Sequence, residues 1–300
     1  SADGLQGCNE KLENARHYSN TLYNIMRGGI FIDNYNIDKP DFLDFIRQSN
    51  KIIFHEEISF LEKLPDNFSS IELLEKVALH ENPDFERICN EYLPLTFSRR
   101  HGDPSRPWNQ FSIEVQNPDG SIKSDYQGNW RDIFQNWEAL AFSFPEFIEQ
   151  MVVKFVNAST PDGYNPYRIT SNGIDWEQPD PDDPWAYIGY WGDHQIIYLQ
   201  KLLEISNDFH PGKIHSFLDK EIFSYANVPY RIKSYQQMVE KPQDTIVFDR
   251  ELNSRIDKLA LELGADGKLL FDSKNQVYKA NLTEKILVSL LSKLSNFIPE

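Results

Sequence analysis

Cysteine is nearly absent from this chain: 300 residues carry only Cys8 and Cys89. That has neither the density of a disulfide scaffold nor the paired spacing of a zinc site, so both read as free thiols. Long apolar runs are missing too. Ile196 to Leu199, and Ile286 to Leu291 with Ser289 inside, fall far short of the roughly 20 residues that cross a bilayer, which excludes a spanning helix and a membrane partner. Positive charge is scarce, with 30 Lys and Arg against 46 Asp and Glu and a net charge of −16. A field of that sign repels phosphate backbones, so no nucleic-acid partner is expected. The chain has no Gly-x-Ser-x-Gly elbow, P-loop, dinucleotide glycine fingerprint or His-Glu-x-x-His pair. His210 and His215 straddle Pro211-Gly212 and cannot form a helical metal pair, and no metal is expected. No targeting segment is visible, and a cytoplasmic location is expected.

What the chain has in quantity is aromatic side chains: 20 Phe, 14 Tyr and 6 Trp, within a hydrophobic share of 40% and a charged share of 25%. That is the composition of a packed globular protein. Helical periodicity dominates. It predicts helices at about 7–26, from Pro40 through Leu61, at 69–79, 83–93, 130–142, 145–156, 191–205, 213–223, 250–263 and 283–294. Gly28-Gly29 supplies a stop for the first, and Pro or Ser opens several others. Strand signal is sparse. Residues 111–115 alternate with period 2, and the Asn117-Pro118-Asp119-Gly120 turn can return the chain along 121–123, giving a small β-hairpin near 110–123. A second ribbon is possible at 265–271. Asn227 to Arg231 reads as an extended connector without a site. Helix pairs joined by long loops, notably 96–129 and 159–190, describe an all-α helical solenoid or closed toroid in one domain spanning 1–300. The chain opens without Met and closes just after an amphipathic helix whose apolar face needs a partner. It is therefore expected to be truncated at its C-terminus, with the remainder of its parent chain as a partner.

Between 97 and 195 the composition changes. All six Trp (108, 130, 137, 176, 185 and 191) lie there, among many carboxylates, Arg and amides. Trp176, Trp185 and Trp191 occupy a proline-broken segment rather than a periodic helix face, interleaved with Asp175, Glu177, Asp180, Asp182, Asp183 and Asp193. Flat rings among carboxylates and amides suit a carbohydrate: the C–H faces of a pyranose stack on the rings while its hydroxyls take paired hydrogen bonds. The competing reading is an aromatic helical core with capping carboxylates.

The run Tyr126-Gln127-Gly128-Asn129-Trp130-Arg131-Asp132-Ile133-Phe134-Gln135-Asn136-Trp137 resembles the Arg-Asp-x-x-Gln-Asp segment of the cellobiose phosphorylase-like, six-hairpin glycosidases. Asp162 to Arg168, Asp182-Asp183-Pro184-Trp185 and Gly192-Asp193-His194-Gln195 follow in the order of that family's later segments. The likeness covers about 97–206. It implies an (α/α)6 toroid, incomplete in this chain, with a pocket where the inner helices start. It also implies inverting hydrolysis or phosphorolysis of a glycosidic bond in an oligosaccharide or glycoside. The family's Trp-Asn-Asp-type segment, which commonly carries the general acid, does not occur before Glu300.

Glycoside cleavage needs an acid for the leaving oxygen and a base, nucleophile or phosphate on the opposite face. The residues offer Glu177, Asp175 and Asp193 for proton transfer. Trp176 beside Glu177 favours its acid form, whereas Asp193 at a helix start favours its charged form. Sugar binding falls to Trp130, Arg131, Asp132, Gln135, Tyr167, Arg168, Trp176, Asp183, Trp185, Trp191, His194 and Gln195. Arg131 and Arg168 are the candidate clamps on hydroxyls or phosphate. The Arg99-Arg100-His101 knot can receive phosphate or simply neutralise carboxylates. No cofactor is expected, with inorganic phosphate admitted as a co-substrate. The alternative function is a non-catalytic carbohydrate-binding or structural helical module.

Overall fold

A computed structural model describes residues 10–27, 29–96, 113–166, 168–176, 178–180, 182, 187 and 195–295. The first part of the chain is α1 (Glu10–Arg27), β1 (Ile30–Phe31), β2 (Asn36–Asp38), α2 (Lys39–Ser49), α3 (Lys51–Glu56), α4 (Ile58–Glu62), β3 (Asn67–Ser69), α5 (Ser70–Val77), α6 (Pro83–Glu91) and β4 (Leu95–Thr96). After 97–112 come β5 (Gln127–Asn129), α7 (Trp130–Ser143), α8 (Ile148–Asn157), β6 (Arg168–Thr170), β7 (Gly173–Asp175) and α9 (Gln195–Phe209). The chain ends with β8 (Tyr230–Ile232), α10 (Tyr235–Glu240), β9 (Ile246–Phe248), α11 (Arg250–Leu263) and α12 (Leu282–Ser295). Helix dominates, but the fold is mixed rather than all-α, because four small antiparallel sheets tie the helices together: β1–β4, β2–β3, β5–β6–β7 and β8–β9.

Local chemistry explains most helix starts. Asp38, Ser69, Asn82 and Asp249 each accept a backbone N–H in the first turn of α2, α5, α6 and α11, filling donors that a helix end leaves open. The single helix expected from Pro40 through Leu61 is cut at Asn50, whose φ of −154° is extended. Its Oδ1 accepts from Ile52 and Ile53 N–H to start α3, while its Nδ2 donates 2.7 Å to Asp266 Oδ2. The helix expected at 213–223 shrinks to a 3-10 turn, Ile214–Phe217. Phe223 instead pairs in extended conformation with Ala280, and the strand geometry outweighs the helical spacing of the apolar residues. The hairpin expected near 110–123 is reduced among described residues to one bridge, Gln116 with Ile122; 111 and 112 lie outside them.

Two hydrophobic clusters organise the packing. The smaller is confined to 37–92, with Ile37, Phe42, Ile46, Leu61, Phe85 and Ile88 inside. The larger holds Trp130, Ile133, Phe134, Trp137 and Leu140 from one stripe of α7, against α8 and the apolar face of β6–β7. Every residue of α8 is buried, and this helix packs against α6, α7, α9 and α12. Each large apolar side chain so buried contributes roughly 1.5–3 kcal/mol. Three of the four polar residues of α8 have polar partners in neighbouring elements. Glu149 accepts from Ser206 and meets His210, Lys154 donates to Ser171 O, and Asn157 donates to Glu91. Among described residues no helix is long and apolar enough to cross a membrane.

Candidate functional site

Strand β5 runs directly into α7, and β6 and β7 form a hairpin beside it. The register pairs Asn129 with Arg168 and Arg168 with Asp175 across three adjacent strands. Side chains alternate faces along a strand, so this row shares one face with Gln127 and Thr170. Ile169 and Ile174, one residue out of step, bury the opposite face in the larger core. Gly128 pairs with Ile169 on that apolar face, and a Cβ there would come within 2.9 Å of Ile133. The result is a polar row of a buried Asn129 and half-buried Arg168 and Asp175, at the N-terminus of α7. Asn129 Nδ2 donates to the buried Asp132, at 3.4 Å from Oδ2.

Lys268 completes the row. It comes from the 3-10 turn Ala265–Lys268, and its Nζ lies 3.0 Å from Ile174 O and 3.4 Å from Asp175 Oδ1. The same ammonium sits 5.3 Å from the centre of the Trp176 ring, a cation–π contact. Trp176 Nε1 donates 2.8 Å to Asn253 Oδ1, and Asn253 in turn donates to Asp257. Asp175 is therefore held as one half of an ion pair against an aromatic wall.

Asn227 N–H donates 2.9 Å to Lys268 O, which ties the Lys268 backbone to one wall of a cavity of about 640 Å³ that no side chain of the row lines. Thr160, Asp162, Tyr164, Asn227, Tyr230 and Arg231 line it. The turn carrying Asp162 is fixed by Gly163, whose φ is +77° and which presses on α12 so closely that a Cβ would sit 2.6 Å from Val288 O. Arg231 Nη1 is anchored on Val228 O and Tyr230 O, at 3.1 and 2.7 Å. The segment 227–231, expected to be a bare connector, is thus a cavity wall. Nothing in its sequence marks it, since it acquires this role only through pairing with 268 and 246–248.

The expected site residues divide sharply. Asp175, Arg168 and Asp132 come together with Asn129, as described. Arg131 is half-buried and Gln135 exposed, one turn apart on the outer side of α7. Trp130 is 0% exposed and packs on Phe134 and Phe155, and Trp176 is 7% exposed beneath Lys268. Neither offers an open ring face to a sugar: in both, burial of the large apolar ring overrides the expected stacking role. The tyrosines that line the cavity are instead Tyr164 and Tyr230. Glu177, Asp193, Tyr167, Asp183, Trp185, Trp191 and His194 lie outside the described residues, as does the 99–101 knot. Gln195 opens α9. Lys268 was missed because a lysine in a glycine-containing turn carries no local signal for a partner 93 residues away.

A second cavity of about 790 Å³ lies between β2–α2 and the 117–125 turn, lined by Asp33, Asp38, Asp41, Asp44, Asp119 and Asp125 among others. Burial pushes the Asp41 carboxyl up, and Tyr92 OH donates to it at 2.5 Å. Among described residues, no group of three or more His, Cys, Asp or Glu is gathered as a metal site.

No curated protein matches the chain. Residues 31–94 match the family model of glycoside hydrolase family 149 insertion domain 1, a span that contains the whole of the smaller hydrophobic cluster. The match supports a glycoside hydrolase-related family and does not single out cellobiose phosphorylase.

Proposed function

We propose that the chain is part of a carbohydrate-active enzyme acting on a glycosidic bond, that a sugar is held in the 640 Å³ cavity, and that it extends to the Asn129–Arg168–Asp175 row. The observation that carries this reading is the convergence of Asp162, Arg231, Asn227, Tyr164 and Tyr230 around one concave cavity, whose wall is bonded through Asn227 N–H to the backbone of Lys268, the ion-pair partner of Asp175. Such a set matches the alternating apolar faces and paired hydroxyls of a pyranose. The match of 31–94 supports glycoside chemistry in particular. In this reading Tyr164 and Tyr230 stack on the sugar, while Arg168, Asn227 and Asp162 take its hydroxyls. Asp175, Glu177 and Asp193 share the proton chemistry of inverting hydrolysis or phosphorolysis, with Arg168 able to clamp phosphate. The surrounding helices then belong to an (α/α)6-type toroid.

A second reading is favoured by one fact: the matching family model is that of an insertion domain. Under it the chain binds carbohydrate, or braces a neighbouring catalytic unit, without cleaving anything. Glu177→Gln, Asp175→Asn and Asp193→Asn, assayed for glycoside hydrolysis and for phosphate-dependent cleavage, separate the two. Loss of turnover with retained sugar binding supports the enzyme reading; turnover unchanged in all three contradicts the proton-transfer roles.

A further inference from the structure

The segment 31–94 reaches the candidate site by two routes: Asn172, in the turn joining β6 to β7, donates to Gln48, and the turn Ala265–Lys268 is gripped from α2 and α6. From the 31–94 side, Arg87 Nη2 donates 2.6 Å and Asn50 Nδ2 donates 2.7 Å to the same oxygen, Asp266 Oδ2. Arg87 and Asp266 are 1% and 3% exposed. The backbone is equally constrained. A Cβ on Gly264, where φ is +108°, would lie 2.4 Å from Gln48 O and 2.9 Å from Ser49 O, and one on Gly267 would lie 2.3 Å from Ala260 N. The turn is therefore wedged between α2 and α11 with no room to slide. Two residues after Asp266, Lys268 reaches the other way, onto Ile174 O, Asp175 and the Trp176 ring. Asp266 and Lys268 thus grip opposite neighbours from one four-residue turn.

We propose that Asp266 is a positioning residue: gripped by Arg87 and Asn50, it fixes the turn so that Lys268 holds Asp175 and Trp176 in register with Arg168. Residues 31–94 thereby set the geometry of the sugar site without contacting the sugar. The inference rests on the reading that places Asp175 in that site. Its physical basis is that a short turn clamped at both ends has few conformations to lose, and a small shift at one end moves the other. Lys279 with Asp84 at 2.6 Å and Lys220 with Glu86 attach α6 without reaching the row.

The test uses the whole chain and four variants: Asp266→Asn, Arg87→Lys, Lys268→Met and, as a control, Lys220→Met. Each is prepared with and without Trp176→Phe, so that the emission of Trp176 is obtained by subtraction. Binding of glucose trisaccharides of different linkages is measured by calorimetry. Asp266→Asn and Arg87→Lys should move the Trp176 emission toward that of Lys268→Met and weaken trisaccharide binding by about tenfold. Lys220→Met should lower the melting temperature while leaving both readouts in place. Should Asp266→Asn fail to fold, Arg87→Lys, which keeps the charge but loses the two-pronged grip, decides alone. Parent-like emission in the folded variants overturns the proposal. Emission that shifts in a chain whose parent form binds no trisaccharide supports the mechanical link and refutes the sugar site instead.

Discussion

Replacing Arg87 by Met should destabilise the chain by about 3–5 kcal/mol, the cost of leaving a buried charge without its partner. Arg87 Nη2 lies 2.6 Å from Asp266 and 3.6 Å from Asp84, and Nη1 lies 3.2 Å from Glu91, so three carboxylates share one guanidinium. Burial alone pushes the Asp266 carboxyl up, and Arg87, with Asn50, pulls it back. Without Arg87, Asp266 keeps only the neutral Asn50 donor, and Glu91 keeps Asn157 at 2.6 Å. The reverse change, Asp266→Leu, leaves Arg87 with Glu91 and Asp84 and should cost less, about 1–3 kcal/mol. The double variant removes both buried charges and should recover part of the loss, giving a coupling of about 2 kcal/mol or more. Urea unfolding followed by circular dichroism, with midpoints compared at a common slope, measures all three. A loss below about 1 kcal/mol for Arg87→Met, or additivity within about 0.5 kcal/mol, would refute the claim that this pair clamps 31–94 to the rest.

Three further expectations follow from burial. Lys154, enclosed between Phe45 and Tyr126, has its ammonium pulled down from 10.5 to about 8 by burial. The unfolded chain then binds more protons than the folded one above pH 8, so stability should rise with pH, by about 1 kcal/mol per pH unit from this group. The buried Lys285 is lowered too and acts in the same direction, whereas Cys89, raised by burial, opposes it only above its ordinary 9.0. Urea titrations between pH 7.5 and 9 should show the rise, and Lys154→Met should remove about 1 kcal/mol of it; a slope identical in the variant contradicts the assignment. Trp130→Ala should cost about 3–5 kcal/mol as a core truncation, and Trp130→Phe should leave sugar affinity intact; weakened binding in an undestabilised Trp130→Phe would restore its stacking role. Gly264→Ala should cost at least about 2 kcal/mol, from its positive φ and its contact with Gln48 O; thermal melting at the parent temperature would show that the turn is not wedged.

Helices with a local cap and an uninterrupted apolar stripe were legible from sequence. α5, α6, α11 and α12 fall within about two residues of the expected bounds because Ser69, Asn82, Asp249 and Asn281 each supply a start that needs no distant partner. Where a distant partner decides, the pattern fails. Asn50 breaks a helix while bonding to Asp266, 216 residues later. The strands escaped notice because none among the described residues exceeds three residues, too short for alternation to show. Half of the site row was readable, since Arg168 and Asp175 stand in a segment dense with carboxylates and rings. Lys268, Tyr230 and Asn227 were not, as their roles arise only from pairing across the fold. Of the tryptophans expected to hold sugar, Trp130 and Trp176 are buried in the core.

Calorimetric titration of the chain with glucose trisaccharides of each linkage, repeated on Asp175→Asn and Arg168→Met, tests the central claim most directly. A saturable heat with at least one trisaccharide, abolished or weakened about tenfold or more in both variants, is the expected result. Binding that is absent throughout, or equally tight in the parent and both variants, would contradict a sugar site at the Asn129–Arg168–Asp175 row.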